Sequence, residues 1–245
     1  MASSAVLPTR KDEAWRYADL AALAPLWPLA EERIVLAAGE QRSMVLTNVG
    51  HAASARDVAV ELGEGARLDL HVLNAPHAYG RIAVRAALAQ GAQFHLGAAQ
   101  LAGGAATVEL VTEVTHAGPD AISRQVVRSV AGGQAVVNYL GKVLVQPGAD
   151  GTDGEQSVRA MLLTRTATAN ARPELEIHAD DVKCAHGCAV GELDANGLFY
   201  MAQRGLPPEA AKRLMLQAFL AEALTGSDQA EALTEQAITA LEAML

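Results

Sequence analysis

Apolar and polar positions alternate with period two along most of this chain, as in Val58-Ala-Val60-Glu-Leu62, Arg67-Leu68-Asp-Leu70-His-Val72 and Thr107-Val108-Glu-Leu110. Successive side chains of an extended strand point to opposite faces, so the pattern predicts half-buried strands from about Arg33 to Lys183. No helical pattern of a dozen residues interrupts them. Turn residues recur instead, at Gly63-Glu-Gly65, Ala89-Gln-Gly91, Gly103-Gly104, Gly118-Pro119, Gly132-Gly133 and from Pro147 to Gly154. Without intervening helices, a sheet wound from βαβ units is excluded.

The strands also repeat. Gly65-Ala-x-Leu68-x-Leu70-x-Val72 aligns with Gly91-Ala-x-Phe94-x-Leu96-x-Ala98, an offset of 91 minus 65, or 26 residues. Just upstream, Val58, Val60 and Leu62 align with Ile82, Val84 and Ala86 at an offset of 24. A strand unit recurring at a near-fixed period is the mark of a solenoid, in which each coil buries its apolar face only against its neighbours. The predicted fold is mainly β, a right-handed parallel β-helix, with a β-sandwich as the alternative.

The two ends follow other patterns. Residues 11 to 24 predict a short helix carrying Trp15 and Leu20, docked on the body and ended near Pro25. After Gly191 the apolar spacing becomes helical. A short stripe of Leu198, Met201 and Ala202 is stopped by Gly205 and Pro207. A second helix from about Pro208 to Leu224 carries Ala211, Met215, Ala218 and Phe219. A third, from about Gln229 to Leu245, carries Leu233, Ala237, Leu241 and Met244, with Asp228 and Glu231 at capping-box spacing. These helices are expected to cap the open end of the solenoid. The organisation read from these patterns is an N-terminal helical segment (1–32), a β-helix core (33–192) and a C-terminal helical region (193–245).

Composition narrows the function. Apolar residues make up 51% of the chain but aromatics only 4%, so Ala, Val, Leu and Ile must fill a narrow, regular core, which argues against a large aromatic-lined ligand site. The formal charge is -9 and the basic residues are scattered, so no stripe is available to neutralise a phosphate backbone, and nucleic acid is not an expected partner. The start lacks a basic stretch followed by an apolar one, and no apolar run approaches the ~20 residues of a membrane helix. A cytoplasmic protein with no membrane contact is the expectation.

Candidate chemistry concentrates in Pro173-Glu-Leu-Glu-Ile-His-Ala-Asp-Asp-Val-Lys-Cys-Ala-His-Gly-Cys-Ala-Val-Gly191, which gathers both cysteines of the chain around one histidine. On an extended strand Cys184, His186 and Cys188 share a face, with neighbours roughly 6.6 Å apart. The cysteines would lie about 13 Å apart, too far for a disulfide, so both are expected as free thiols in a reducing compartment. Thiolate and imidazole suit soft iron and iron-sulfur species. Three groups in line cannot close around one ion without a bend or a partner's ligands, so no zinc or permanent cluster held by this chain alone is expected. The residues equally allow a plainer reading, in which the cysteines pack as small apolar groups and His186 satisfies a hydrogen bond. Asp180 and Asp181 could be hard ligands, although paired aspartates before a strand more often make a turn. The histidines at 51, 71, 77, 95, 116 and 178 show no ligand spacing.

Enzyme signatures are absent. Gly141-Lys142 lacks the remainder of a Walker A loop, Gly63-Glu-Gly65 lacks the third glycine of a dinucleotide loop, and no Gly-x-Ser-x-Gly or His-Glu-x-x-His occurs. The chain is not expected to be an enzyme. The alternatives kept open are a β-helix enzyme acting on carbohydrate or acyl groups, for which a groove or hexapeptide repeat is missing, and a purely structural strand-pairing protein.

Two further stretches, Leu198-Phe-Tyr-Met-Ala-Gln-Arg-Gly-Leu206 and Pro8-Thr-Arg-Lys-Asp-Glu-Ala-Trp-Arg-Tyr-Ala-Asp-Leu20, join the Cys-His segment in a pattern that resembles the SufB/SufD family of iron-sulfur cluster assembly scaffolds. The form Asp180-Asp-Val-Lys-Cys-Ala-His-Gly187 is similar to the SufD branch. The resemblance covers residues 8 to 20 and about 130 to 225 well. It implies a parallel β-helix core flanked by helices and a non-catalytic role. It implies a SufB-like partner paired through the β-helix and a SufC-like ATPase docked on the C-terminal helices. It also implies a transient iron-sulfur cluster or iron shared with the SufB side, with His186 and Cys184 as the motif ligands. Cys188 stands where the family pattern Lys-Cys-Ser-His-Gly-Ala-Thr-Val-Gly has alanine, and is either an added thiol ligand or a small core residue. A homodimer is the other pairing open to the same surface.

Overall fold

The computed structural model describes residues 6–244 of the chain. Among these, twelve parallel strands wind into two six-stranded sheets that face each other across one lumen. The first sheet contains β1 (Glu31–Leu36), β3 (Ser54–Leu62), β5 (Tyr79–Leu88), β7 (Thr107–His116), β9 (Val136–Val145) and β11 (Thr168–Ile177), in that order. The second contains β2 (Gln41–Gly50), β4 (Arg67–Pro76), β6 (Gln93–Ala102), β8 (Ile122–Ala131), β10 (Asp153–Leu162) and β12 (Lys183–Gly191). The architecture is a parallel β-helix of about six coils, as the alternation and the repeat predict.

The 26-residue offset is the true register of the early coils, with Arg67 opposite Gln93 and Leu68 opposite Phe94. The 24-residue offset is corrected: Val58 pairs with Val84, Val60 with Ala86 and Leu62 with Leu88, so this sheet also advances by 84 minus 58, or 26. A two-residue slip keeps every side chain on its own face, and alternation alone cannot detect it. Later coils are longer, because Gln93 pairs with Ile122, Ile122 with Asp153 and Asp153 with Lys183, spacings of 29 (122 minus 93), 31 (153 minus 122) and 30 (183 minus 153).

The early coils are aligned by a column of left-handed corners. Gly39, Gly65 and Gly91 have φ of 69°, 63° and 64°, a region that costs a glycine nothing. Each donates its N–H to the coil above, to Glu64 O at 2.8 Å, Gln90 O at 2.8 Å and Pro119 O at 2.9 Å respectively. Inside, Leu68, Leu70, Val72, Ile82, Val84 and Phe94 are fully buried, the narrow aliphatic core that the composition implies.

Both outer faces are partly covered. The N-terminal segment lies on the first sheet, but it is not one helix over 11 to 24. It forms a 3-10 turn at Glu13–Trp15, the short helix α1 (Leu20–Leu23), and a second 3-10 turn at Ala24–Leu26 that takes in Pro25. Its backbone is engaged by the sheet instead: Arg81 Nη2 donates to Ala14 O at 2.9 Å, Asn138 Nδ2 to Tyr17 O at 3.1 Å, and Asp19 N to Glu109 Oε1 at 3.2 Å. Proline is tolerated early in the second turn, where its missing N–H is not needed.

Three helices follow β12: α2 (Ala195–Gln203), α3 (Pro208–Leu224) and α4 (Ala230–Glu242). They do not close the open end as expected. Leu216, Leu220 and Leu224 of α3, with Leu233, Ala237 and Leu241 of α4, pack on Leu73, Leu101 and Val130, which point outward from the second sheet. Each leucine buried in this way stabilises the fold by ~1.5–3 kcal/mol. The buried line of α3 is therefore Ala211, Leu216, Leu220, Ala223 and Leu224, while Ala218 is exposed and Met215 and Phe219 only half-buried. No capping box forms before α4; its N-cap is Gln229, whose N–H donates to Ser227 Oγ at 3.1 Å.

Candidate functional site

Because the helices lie on the side of the solenoid, its C-terminal end is open. The final coil consists of β11 and β12, and among the described residues each is bonded to a strand on one side only. The inward row of β12 continues the inward row of β10: Cys184 lies opposite Gly154, His186 opposite Gln156 and Cys188 opposite Val158. The three sequence-predicted residues thus share one face, and that face is the mouth of the lumen.

Their environments differ. Cys184 is half-buried against the core, near Gly154, where an added Cβ would sit 3.4 Å from its Sγ. Cys188 is exposed, and its thiol points across the lumen to Ala171 O of β11 at 4.0 Å. Burial pushes both thiols up from the ordinary range; for Cys184 a bond from the Gly154 backbone opposes the push and the charge of Asp153 adds to it. Neither is therefore an activated thiolate in the free chain. His186 is exposed. Both cysteines are free thiols. In-line placement on a single strand leaves open coordination positions facing away from the protein, and among the described residues no three His, Cys, Asp or Glu side chains converge on a point.

Asp180 and Asp181 form the corner before β12. Asp181 is left-handed, with φ of 50°, and the Asp180 N–H donates to Asp150 Oδ1 at 3.1 Å. Other histidines serve local packing. His95 Nδ1 meets Asp69 at 2.9 Å, His178 Nε2 meets Glu176 at 2.8 Å, and His71 Nε2 lies 3.3 Å from Thr225 O, tying the end of α3 to the sheet. His51 and His77 stack with ring centroids 4.0 Å apart. His116 is fully buried with Nε2 2.9 Å from Ser123 Oγ, and burial lowers its pKa to about 4.

Sequence reasoning missed the polar cluster beneath the mouth. Thr112 Oγ1 donates to Gln125 Oε1 at 2.8 Å and lies 3.0 Å from Tyr139 Oη, and Gln156 Nε2 donates to the same Oη at 3.1 Å. All four residues are at most 2% exposed. Burial pushes the Tyr139 phenol up to about 12, opposed by its bonds to Thr112 and Gln156 and reinforced by Cys188. The signal was present in the alternation: Gln125 and Gln156 occupy inward positions two residues before Val127 and Val158, where a solenoid normally places aliphatic side chains.

Comparison with known proteins follows the same lines. Residues 34–219 match the family model described as SUF system FeS cluster assembly, SufBD core domain. The chain is 36% identical over 116 residues to the iron-sulfur cluster assembly protein SufD of Escherichia coli, covering 47% of this chain and 27% of that protein. It is 38% identical over 87 residues to SufD of Bacillus subtilis, covering 36% and 20%. It is 37% identical over 121 residues to the chloroplastic protein ABCI7 of Arabidopsis thaliana, covering 48% and 25%. These matches span about a quarter of the relatives' own length.

Proposed function

This chain belongs to the SufBD core-domain family of the SUF iron-sulfur cluster assembly system, and from that premise we propose that it acts as a SufD-like, non-catalytic scaffold subunit. Its β12 edge pairs with a SufB-like subunit, and cluster or iron is held transiently between the two. The observation that carries this reading is the open coil itself. β12 presents an unpaired backbone edge with Lys183 as its only formal charge, and it places Cys184, His186 and Cys188 at the lumen mouth. Its companion β11 is protected by Arg172, Pro173, Glu174 and Glu176, residues that discourage edge pairing. The strand β2 at the opposite end is also low in charge but carries no thiol or imidazole, so the ligands rather than charge single out the C-terminal end.

In this reading His186 and Cys184 supply soft ligands, and the partner supplies those that an in-line set cannot. The cluster is cargo, which suits ligands that are exposed and incompletely enclosed. A SufC-like ATPase docks on the C-terminal helices, where Phe199, Tyr200 and Leu214 are 65%, 55% and 49% exposed. No helix among the described residues is long and apolar enough to cross a membrane.

Co-purification tests the assembly: this chain, tagged, should retain both a SufB-like and a SufC-like subunit, and cluster assembled by the complex should fall when His186 is replaced by alanine. A chain that purifies alone, or a complex whose cluster yield ignores His186, would overturn the proposal. A homodimer through β12 would appear as doubled mass in light scattering when the SufB-like subunit is omitted.

A further inference from the structure

The buried polar cluster has one acceptor with no partner, and its position relates it to His186. Gln156 Oε1 is buried and unbonded in a side chain that is 0% exposed. The amide orientation follows from the neighbouring hydroxyls. Gln125 Oε1 lies 2.8 Å from Thr112 Oγ1 and 3.4 Å from Tyr139 Oη, so it draws the hydroxyl protons. Tyr139 Oη is then free to accept the Gln156 N–H at 3.1 Å. This anchors the nitrogen end of the Gln156 amide on Tyr139 and leaves the oxygen end without a donor.

One rung further along, His186 is the register partner of Gln156, with both side chains on the inward face. Adjacent strands lie roughly 4.8 Å apart, so two side chains in one inward row stack within reach of each other. A buried carbonyl without a donor is costly, and an exposed imidazole is free to turn. The Gln125 amide one rung below, whose Nε2 is also unbonded, competes for the same oxygen without excluding His186, because a carbonyl oxygen has two lone pairs.

We infer that Gln156 is a positioning residue for His186: its Oε1 accepts one imidazole N–H, fixing the neutral tautomer and ring orientation so that the other nitrogen is presented unprotonated at the lumen mouth. Histidines that bind metals commonly have their second nitrogen held in this way. The chain Thr112, Gln125, Tyr139 and Gln156 then serves a purpose that packing alone does not explain, since a row of aliphatic residues would fill the lumen without leaving unpaired amide groups. The use of this arrangement rests on the proposed ligand role of His186; the hydrogen bond itself does not.

The test is made on the metal-free chain, so it stands apart from whether His186 ever binds cargo. Two-bond 1H–15N spectra above pH 8, with the ring signals assigned by loss in His186→Ala, read the tautomer ratio directly. The expected result is one dominant tautomer, with Gln156→Met moving the ratio about five-fold toward that of free imidazole, the population change carried by a net hydrogen bond of ~1 kcal/mol. Gln156→Glu keeps an acceptor oxygen and should keep the preference, which separates positioning from loss of packing. A mixed tautomer in the parent chain, or a ratio unmoved in a Gln156→Met variant that retains the parent's circular dichroism, would overturn the inference.

Discussion

Arg81 and Glu109 face each other on neighbouring strands with Nη1 to Oε2 at 2.6 Å, and their side chains are only 2% and 1% exposed. Trp15 of the N-terminal segment lies over Arg81, its ring centroid 3.7 Å from the guanidinium carbon. The pair organises a junction rather than a surface contact, because Arg81 also holds Ala14 O and Glu109 also receives the Asp19 N–H. Removing one member of a buried pair strands the other charge, at a cost of ~3–5 kcal/mol. Glu109→Ala should therefore destabilise the chain by about 3 kcal/mol in urea titrations and release the N-terminal segment. Both tryptophans, Trp15 and Trp27, lie in that segment, so their emission should shift to longer wavelength before the β-helix unfolds.

Gly97 is where the second sheet closely approaches the backbone of α3. A Cβ built there would sit 1.9 Å from Ala223 O, a backbone atom that cannot swing aside. Gly97→Ala should push the end of α3 off the sheet and lower stability by about 1–3 kcal/mol. A denaturation midpoint within error of the parent's would contradict the close approach.

His116 gives stability a pH dependence of definite sign. Its folded pKa, lowered from 6.5 to about 4 chiefly by burial, lies below that of the unfolded chain. The unfolded chain thus binds the proton first as pH falls, and stability is lost from about pH 6.5 downward, levelling off below about 4. This histidine should contribute a loss of roughly 2 kcal/mol between pH 7.5 and 5, and His116→Gln should remove that part of the slope.

Cysteine reactivity should follow exposure. Alkylation followed by mass spectrometry should label Cys188 ahead of the half-buried Cys184, both slowly at neutral pH because burial holds the two thiols above their ordinary range. Faster labelling of Cys184 would show that its packing against the lumen is wrong. In the assembled complex, His186→Ala should depress cluster yield more than Cys188→Ala, measured as iron and sulfide at matched subunit ratios. The opposite order would make the additional thiol the principal ligand.

Docking of a SufC-like subunit is better tested by surface substitution than by truncation, since removing α3 and α4 would expose Leu73, Leu101 and Val130. Phe199→Ala and Leu214→Glu remove exposed apolar groups and should weaken that binding at least ten-fold in calorimetry with little change in thermal stability. Unchanged affinity would place the ATPase elsewhere.

Alternation in the sequence was enough to determine the strands, because the parity of Val58, Val60 and Leu62 or of Leu68, Leu70 and Val72 is a local property of extended backbone; the β-helix needed the repeat and the family resemblance as well, since a β-sandwich shows the same parity. The Cys184, His186 and Cys188 row was legible for the same reason. Register was not: Ile82 and Val84 are equivalent to a parity rule, and only the stacking of coils chose Val84 as the partner of Val58. The N-terminal segment looked helical by spacing, yet Arg81, Glu109 and Asn138, about 60 to 120 residues away, claimed its backbone groups. Likewise α3 offered more than one apolar stripe, and the outward leucines of the second sheet selected the line through Leu216 and Leu220. The helices consequently lie along the side of the solenoid, and the last coil with its thiols and imidazole stays open. That outcome depends on which distant surfaces meet, and periodicity along a chain, which records only a residue's own neighbours, does not contain it.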